Sequence, residues 1–132
     1  MKPIGPYSLW VKGISNAVPY HFSGVIGLDP TTGALSPGGL KNEVHQAFKN
    51  LDEVLAQTPV KKTDIVKTTV FLTTMQHFSE MNEIYAQYFG EHKPARSCVA
   101  VSELPKGCLF EIEVFETNFL RILKLELQIN YK

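Results

Sequence analysis

DIVKTTVFLT, Asp64 to Thr73, is β-branched and aromatic over most of its length and reads as a strand. Its neighbours on both sides change period. Before it, Lys41 to Gln57 carries Val44, Ala47, Phe48, Leu51, Val54 and Leu55 at spacings of three and four, which makes one apolar helical stripe that Pro59 ends. After it, Phe78, Met81, Tyr85, Tyr88 and Phe89 form a second stripe, ended by Gly90. A strand between two amphipathic helices predicts crossover connections with helices packed on a sheet.

Further out, SCVAVSEL and CLFEIEVF read as two closing strands joined by a turn around Pro105-Lys106-Gly107. Tyr7 to Ile14 and Ala17 to Ile26 read as two opening strands separated by Ser15-Asn16. The turn-rich LDPTTGALSPGG then leads into the first helix. The predicted order is ββαβαββ: an α+β domain with a mixed sheet and two helices on one face. The other face is left uncovered, and a sheet this rich in Val, Ile and Phe is expected to bury it by self-association.

With 132 residues, the chain suits one compact domain. Lys plus Arg and Asp plus Glu each total 13, so the chain lacks the footprint of a general nucleic-acid or anionic-membrane binder. MKPIGPYSLW has no run of signal-peptide length, and a cytoplasmic location is expected. Cys98 and Cys108 are expected as free thiols, and the four scattered histidines do not suggest a metal site. From Leu123 onward LKLELQINYK alternates apolar and polar residues, the pattern of an amphipathic strand able to join a sheet edge here or in a partner chain. Residues 1–115 are read as the domain and 116–132 as a C-terminal extension.

Arg96 stands just before the small apolar run Cys98 to Val101. Its guanidinium stays charged and its planar fork matches a carboxylate. Position alone favours a local salt bridge or a snorkelling side chain over a ligand contact. In CLFEIEVF, Cys108, Phe110, Ile112 and Val114 alternate with Leu109, Glu111 and Glu113, so both acids share a face. On most sheets that face is solvated; in a cleft between subunits an acid there would need a partner. Pattern does not choose between Glu111 and Glu113. Tyr7 begins the first strand beside a Gly-Pro turn and reads first as a packed strand-end aromatic. Ser23-Gly24 could bring backbone N–H groups close to a ligand or form a plain bulge. Asn82 lies among apolar residues of the second helix. Cys98 projects to the same side as Arg96 and, with no histidine placed as its base, reads as site-lining.

IGPYS, SGVIGLDPTTGAL, GGL, DIVKTTVFLT, MNEIYAQYF, PARSCVAV, LPKG and FEIEV occur in that order between Ile4 and Val114. Together they resemble the RidA (YjgF-like) family of reactive-intermediate deaminases. The resemblance implies a chorismate-mutase-like α+β fold, assembled as a homotrimer around a central barrel with clefts between subunits. It implies hydrolysis of 2-imino acids and their enamine tautomers, such as 2-iminobutanoate, 2-iminopropanoate and 2-aminoacrylate, to 2-keto acids and ammonia, without a metal or organic cofactor. Carried onto this sequence, it places the carboxylate-binding arginine at Arg96, the site-lining cysteine at Cys98 and the water-orienting glutamate at Glu111. Tyr7, Ser23, Gly24 and Asn82 match other cleft positions. Two departures stand out: Val25 replaces the usual glutamine of SGQI, and the chain continues well past EIE.

The chemistry implied is carboxylate anchoring by Arg96, with Glu111 orienting or deprotonating the attacking water. It requires Arg96 to face Glu111 across a water-sized gap at a subunit boundary, where the arginine would help keep the glutamate ionised. A second reading is a non-catalytic, small-molecule-binding or chaperone-like regulatory trimer using the same cleft. RNA cleavage or translation inhibition ranks below both, because the chain is neutral and has neither a basic stripe nor an apposed histidine pair.

Overall fold

The computed structural model describes residues 1–13 and 17–118. Five strands form one mixed sheet: β1 (Val18–His21), β2 (Val25–Ile26), β3 (Ile65–Leu72), β4 (Ala95–Ala100) and β5 (Phe110–Asn118). The helices are α1 (Leu40–Ala56) and α2 (Phe78–Phe89). The observed order is the expected ββαβαββ, with both opening strands drawn from the second of the two expected ones. The alternation from Leu123 to Lys132 lies outside the described residues. No helix among those described is long and apolar enough to cross a membrane.

β5 is the spine of the sheet. It pairs antiparallel with β3 on one side and with β1 and β2 on the other, while β4 lies parallel to β3 at the edge. The two closing strands are therefore not neighbours. The chain turns at Lys106, whose φ is 58°, and returns across β3 to its far side. β5 runs on past Phe115, with Glu116 paired to both Ile65 and Tyr20.

The opening of the chain departs from expectation. Tyr7 to Ile14 does not form a strand over its described part: Ser8 makes one isolated parallel bridge to Ala95, and residues 14–16 lie outside the description. The Gly5-Pro6 turn and an alternation that is apolar on both sides, with Leu9 and Val11 against Trp10, give this segment no single face to bury. Trp10 remains 76% exposed. The second expected strand instead supplies both β1 and β2. Opposite β5, the three residues 22–24 stand against the two residues 113–114, so one extra residue bulges the strand between its halves. That bulge carries Ser23 and Gly24.

Both helices cover one face of the sheet. Val44, Ala47, Phe48, Leu51 and Leu55 of α1 join Met81, Ile84, Tyr85 and Phe89 of α2 over Val70, Leu72, Phe110, Ile112 and Val114. Phe48 is at the centre, stacked on Tyr88 with centroids 4.1 Å apart and tilted 54° to Phe110 at 5.9 Å. Such aromatic pairs add about 0.5–1.5 kcal/mol each beyond area burial. Buried Glu43 ties the start of α1 to the entry of β5, its Oε1 accepting the Leu109 N–H at 2.9 Å. Gly90 ends α2 with φ 60°, a conformation that a side chain resists.

The opposite face is mixed rather than uniformly apolar. Phe71 and Phe115 share it with Lys67, Thr69, Glu111 and Glu113. A hollow of about 270 Å³ opens there, lined in part by His21, Lys67, Glu113 and Phe115.

Candidate functional site

Arg96 is the second residue of β4 and stands opposite Thr68 of β3, on the helix-covered side. Above it α2 presents Phe78, Asn82 and Tyr85 at i, i+4 and i+7, one face of the helix. All three meet the guanidinium. Nη1 donates to Asn82 Oδ1 at 2.6 Å, and Cζ lies 4.7 Å from the Tyr85 ring centroid and 5.6 Å from that of Phe78. Tyr7 adds a third ring at 5.0 Å. Such contacts are worth about 0.5–2 kcal/mol each, more when water is excluded.

The salt bridge that position alone favoured is not present among the described residues. Arg96 is paired with a neutral amide, which engages one of the five donors of a guanidinium. A cleft of about 160 Å³ opens beside it, lined by Ile4, Tyr7, Phe78, Arg96 and Cys98. Cys98 shares the side of Arg96, as alternation requires. Burial pushes its thiol up and the Arg96 charge offsets this only in part, so Cys98 is a site-lining thiol rather than an activated nucleophile. Cys98 and Cys108 are both free.

Glu111 belongs to a different place. It pairs with Phe71 of β3, whereas Arg96 and Cys98 pair with Thr68 and Val70. Neighbours in register share a sheet face and alternate residues oppose, so Glu111 and Arg96 point to opposite faces of the same chain. The gap required between them does not exist within one subunit. Glu111 lies instead against Gly24: a Cβ there would come within 1.9 Å of its Oε1, so the carboxylate fills the space that a side chain at this bulge would take. Burial raises the Glu111 pKa, with the Glu113 charge adding to the shift. The expectation that Arg96 holds this glutamate ionised is not met within the chain.

The residues singled out in the sequence thus fall into two half-sites. Tyr7, Asn82, Arg96 and Cys98 meet at the β4 edge under α2. Gly24 and Glu111 meet on the open face, with exposed Ser23 beside Gly24. Phe78 and Tyr85 were read only as helix core. The spacing that places Asn82 four residues after one and three before the other was the available signal. Among the described residues, no three His, Cys, Asp or Glu side chains gather as a metal site.

Comparison with known proteins is consistent across sequence and structure. The family model for Endoribonuclease L-PSP matches residues 1–117. A human 2-iminobutanoate/2-iminopropanoate deaminase is 44% identical over 110 residues, covering 83% of this chain and 78% of that protein. A Rid-family protein from Yersinia pestis superposes with TM-score 0.73 at 44% identity, covering 88% of this chain and 90% of the other. Escherichia coli TdcF, solved with bound serine, superposes with TM-score 0.72 at 33% identity, covering 89% and 91% respectively.

Proposed function

Because the chain belongs to the Endoribonuclease L-PSP (YjgF/RidA) family, we propose that it hydrolyses small 2-imino acids and their enamine tautomers to 2-keto acids and ammonia. One observation carries the reading: Arg96 is held by an amide and three aromatic rings beside a cleft, and no carboxylate pairs with it among the described residues. A buried-side guanidinium prepared in this way suits a ligand carboxylate. A relative solved with serine, itself a small carboxylate, supports the same class.

Arg96 binds the substrate carboxylate and so fixes the adjacent C=N carbon. Water adds to the carbon of the protonated imine as its proton passes to ionised Glu111, giving a neutral carbinolamine. Glu111 returns that proton to nitrogen, and as the C–N bond breaks and ammonia leaves, the carbinol hydroxyl gives its proton to Glu111 to form the keto acid. A glutamate whose pKa lies above the ordinary carboxylate range is a better proton acceptor near neutral pH. Since one chain holds Arg96 and Glu111 on opposite faces, the complete site needs a second copy. The assembly proposed is a homotrimer, with the open sheet faces turned inward and each cleft built from the Arg96 half of one subunit and the Glu111 half of the next.

The Arg96 half-site is complete within one chain, and this favours a second reading: binding of keto acids or similar carboxylates without turnover. RNA cleavage has only the family's name in its favour. The deciding experiment generates 2-iminobutanoate in situ and follows its disappearance. Acceleration over the uncatalysed rate is expected; assembled protein that binds 2-oxobutanoate yet gives no acceleration would replace the deaminase with the binding reading.

A further inference from the structure

The proposed use of Arg96 as carboxylate anchor requires more than its presence: the plane of its fork must be held. We infer that Tyr85, tethered to Thr68, is the positioning residue that sets the plane of the Arg96 guanidinium. The inference rests on the functional reading above and goes beyond it by assigning roles to two residues outside the reacting groups.

Three observations carry it. Tyr85 is fully buried, with its ring 4.7 Å from Arg96 Cζ, the shortest of the three ring distances. Its hydroxyl lies 2.7 Å from Thr68 Oγ1, also fully buried. Thr68 is the direct register neighbour of Arg96 across the parallel β3–β4 ladder. The tether therefore fastens the ring to the strand pair that carries the arginine. Packing alone asks only for a phenylalanine here; a tyrosine adds a hydroxyl that costs free energy unless paired. Tyr7, the next ring out, belongs to an N-terminal segment that is half-exposed and joined to the sheet edge by a single bridge. Of the two nearer rings, only that of Tyr85 is locked into the core.

The tether is also insensitive to pH. Burial pushes the Tyr85 phenol up to about 12, an effect that the Thr68 bond and the Arg96 charge only partly offset. The hydroxyl accordingly stays neutral wherever the protein would work.

Thr68→Val and Tyr85→Phe each remove the tether while keeping the local shape and the aromatic ring at position 85. Kinetics with 2-iminobutanoate and the inhibition constant of 2-oxobutanoate are measured for each, for the double variant and for the parent, alongside thermal midpoints. Each single variant should raise KM and the inhibition constant about 3- to 10-fold, with kcat changed less than about twofold. The double variant should be no worse than the poorer single, because both delete one interaction. Tyr85→Leu, which removes the ring, should weaken both constants about 5- to 30-fold, the size of a desolvated cation–π contact. Lower midpoints with KM and inhibition constants within about twofold of the parent would make the pair merely structural and overturn the inference alone. A parent that neither turns over 2-iminobutanoate nor binds 2-oxobutanoate would overturn the use of Arg96 as a carboxylate anchor and this inference with it.

Discussion

Replacing Glu116 by glutamine should flatten the dependence of stability on pH. Glu116 lies on β5 facing the helix layer, fully buried, and neither carboxyl oxygen has a hydrogen-bond partner among the described residues. Burial pushes its pKa from 4.5 up to about 8, with the Asp64 charge adding to the shift. Tyr88, on α2, shares this environment, and its phenol is pushed up by burial, by Asp52 and by Glu116.

Because the folded-state pKa lies above the unfolded value, the native state holds the proton longer. The associated stability is fully present below about pH 4.5 and is lost as pH rises through about 8. At ~1.36 kcal/mol per pKa unit, the whole effect is on the order of 5 kcal/mol, of which roughly 2–3 kcal/mol falls between pH 6 and 9. Glutamine keeps the shape and cannot ionise. Urea unfolding at half-unit pH steps and one fixed protein concentration measures the difference directly, with any linkage to self-association held constant. The parent should lose roughly 2–3 kcal/mol more than Glu116→Gln across that window. Parallel pH profiles for the two proteins would refute the reasoning and mean that the Glu116 carboxylate is solvated or paired.

Arg96→Lys keeps the charge and loses the fork, so kcat/KM for 2-iminobutanoate should fall about 10- to 100-fold with circular dichroism unchanged; full activity would contradict bidentate anchoring. Glu111→Gln should reduce kcat about 100-fold or more, whereas Glu113→Gln should stay within about threefold, and equal effects would remove the distinction between the acids. Gly24→Ala puts a Cβ within 1.9 Å of Glu111 Oε1 and should lower activity by displacing that carboxylate, with a thermal midpoint within a few degrees of the parent. An alanine variant of parental activity would show that the position of the Glu111 carboxylate does not matter.

Both helices and β3 were legible because each carries one repeating apolar face: stripes at three and four on α1 and α2, and a β-branched run on β3. β5 was legible from strict alternation, and its acids do share the open face. The expected opening strand does not form because Leu9, Trp10 and Val11 satisfy β-propensity without specifying a face, and no neighbour strand fixes them beyond Ser8. The bulge at residues 22–24 was suspected from Gly24, but its register slip against β5 depends on two strands far apart in sequence.

The candidate site divides along the same line. The resemblance of the ordered motifs to a known family singled out Tyr7, Ser23, Gly24, Asn82, Arg96, Cys98 and Glu111, whereas residue chemistry by itself left Glu111 and Glu113 undivided and favoured a salt bridge for Arg96. The face to which each one points is set by strand order and register, and a one-residue slip reverses it. Only the tertiary structure could place β3 between β4 and β5, put Arg96 under α2 beside Tyr85, and leave Glu111 on the opposite face against Gly24. The sequence by itself determined which candidate side chains this chain carries; the pairing of its strands decided that one subunit holds them in two separated groups.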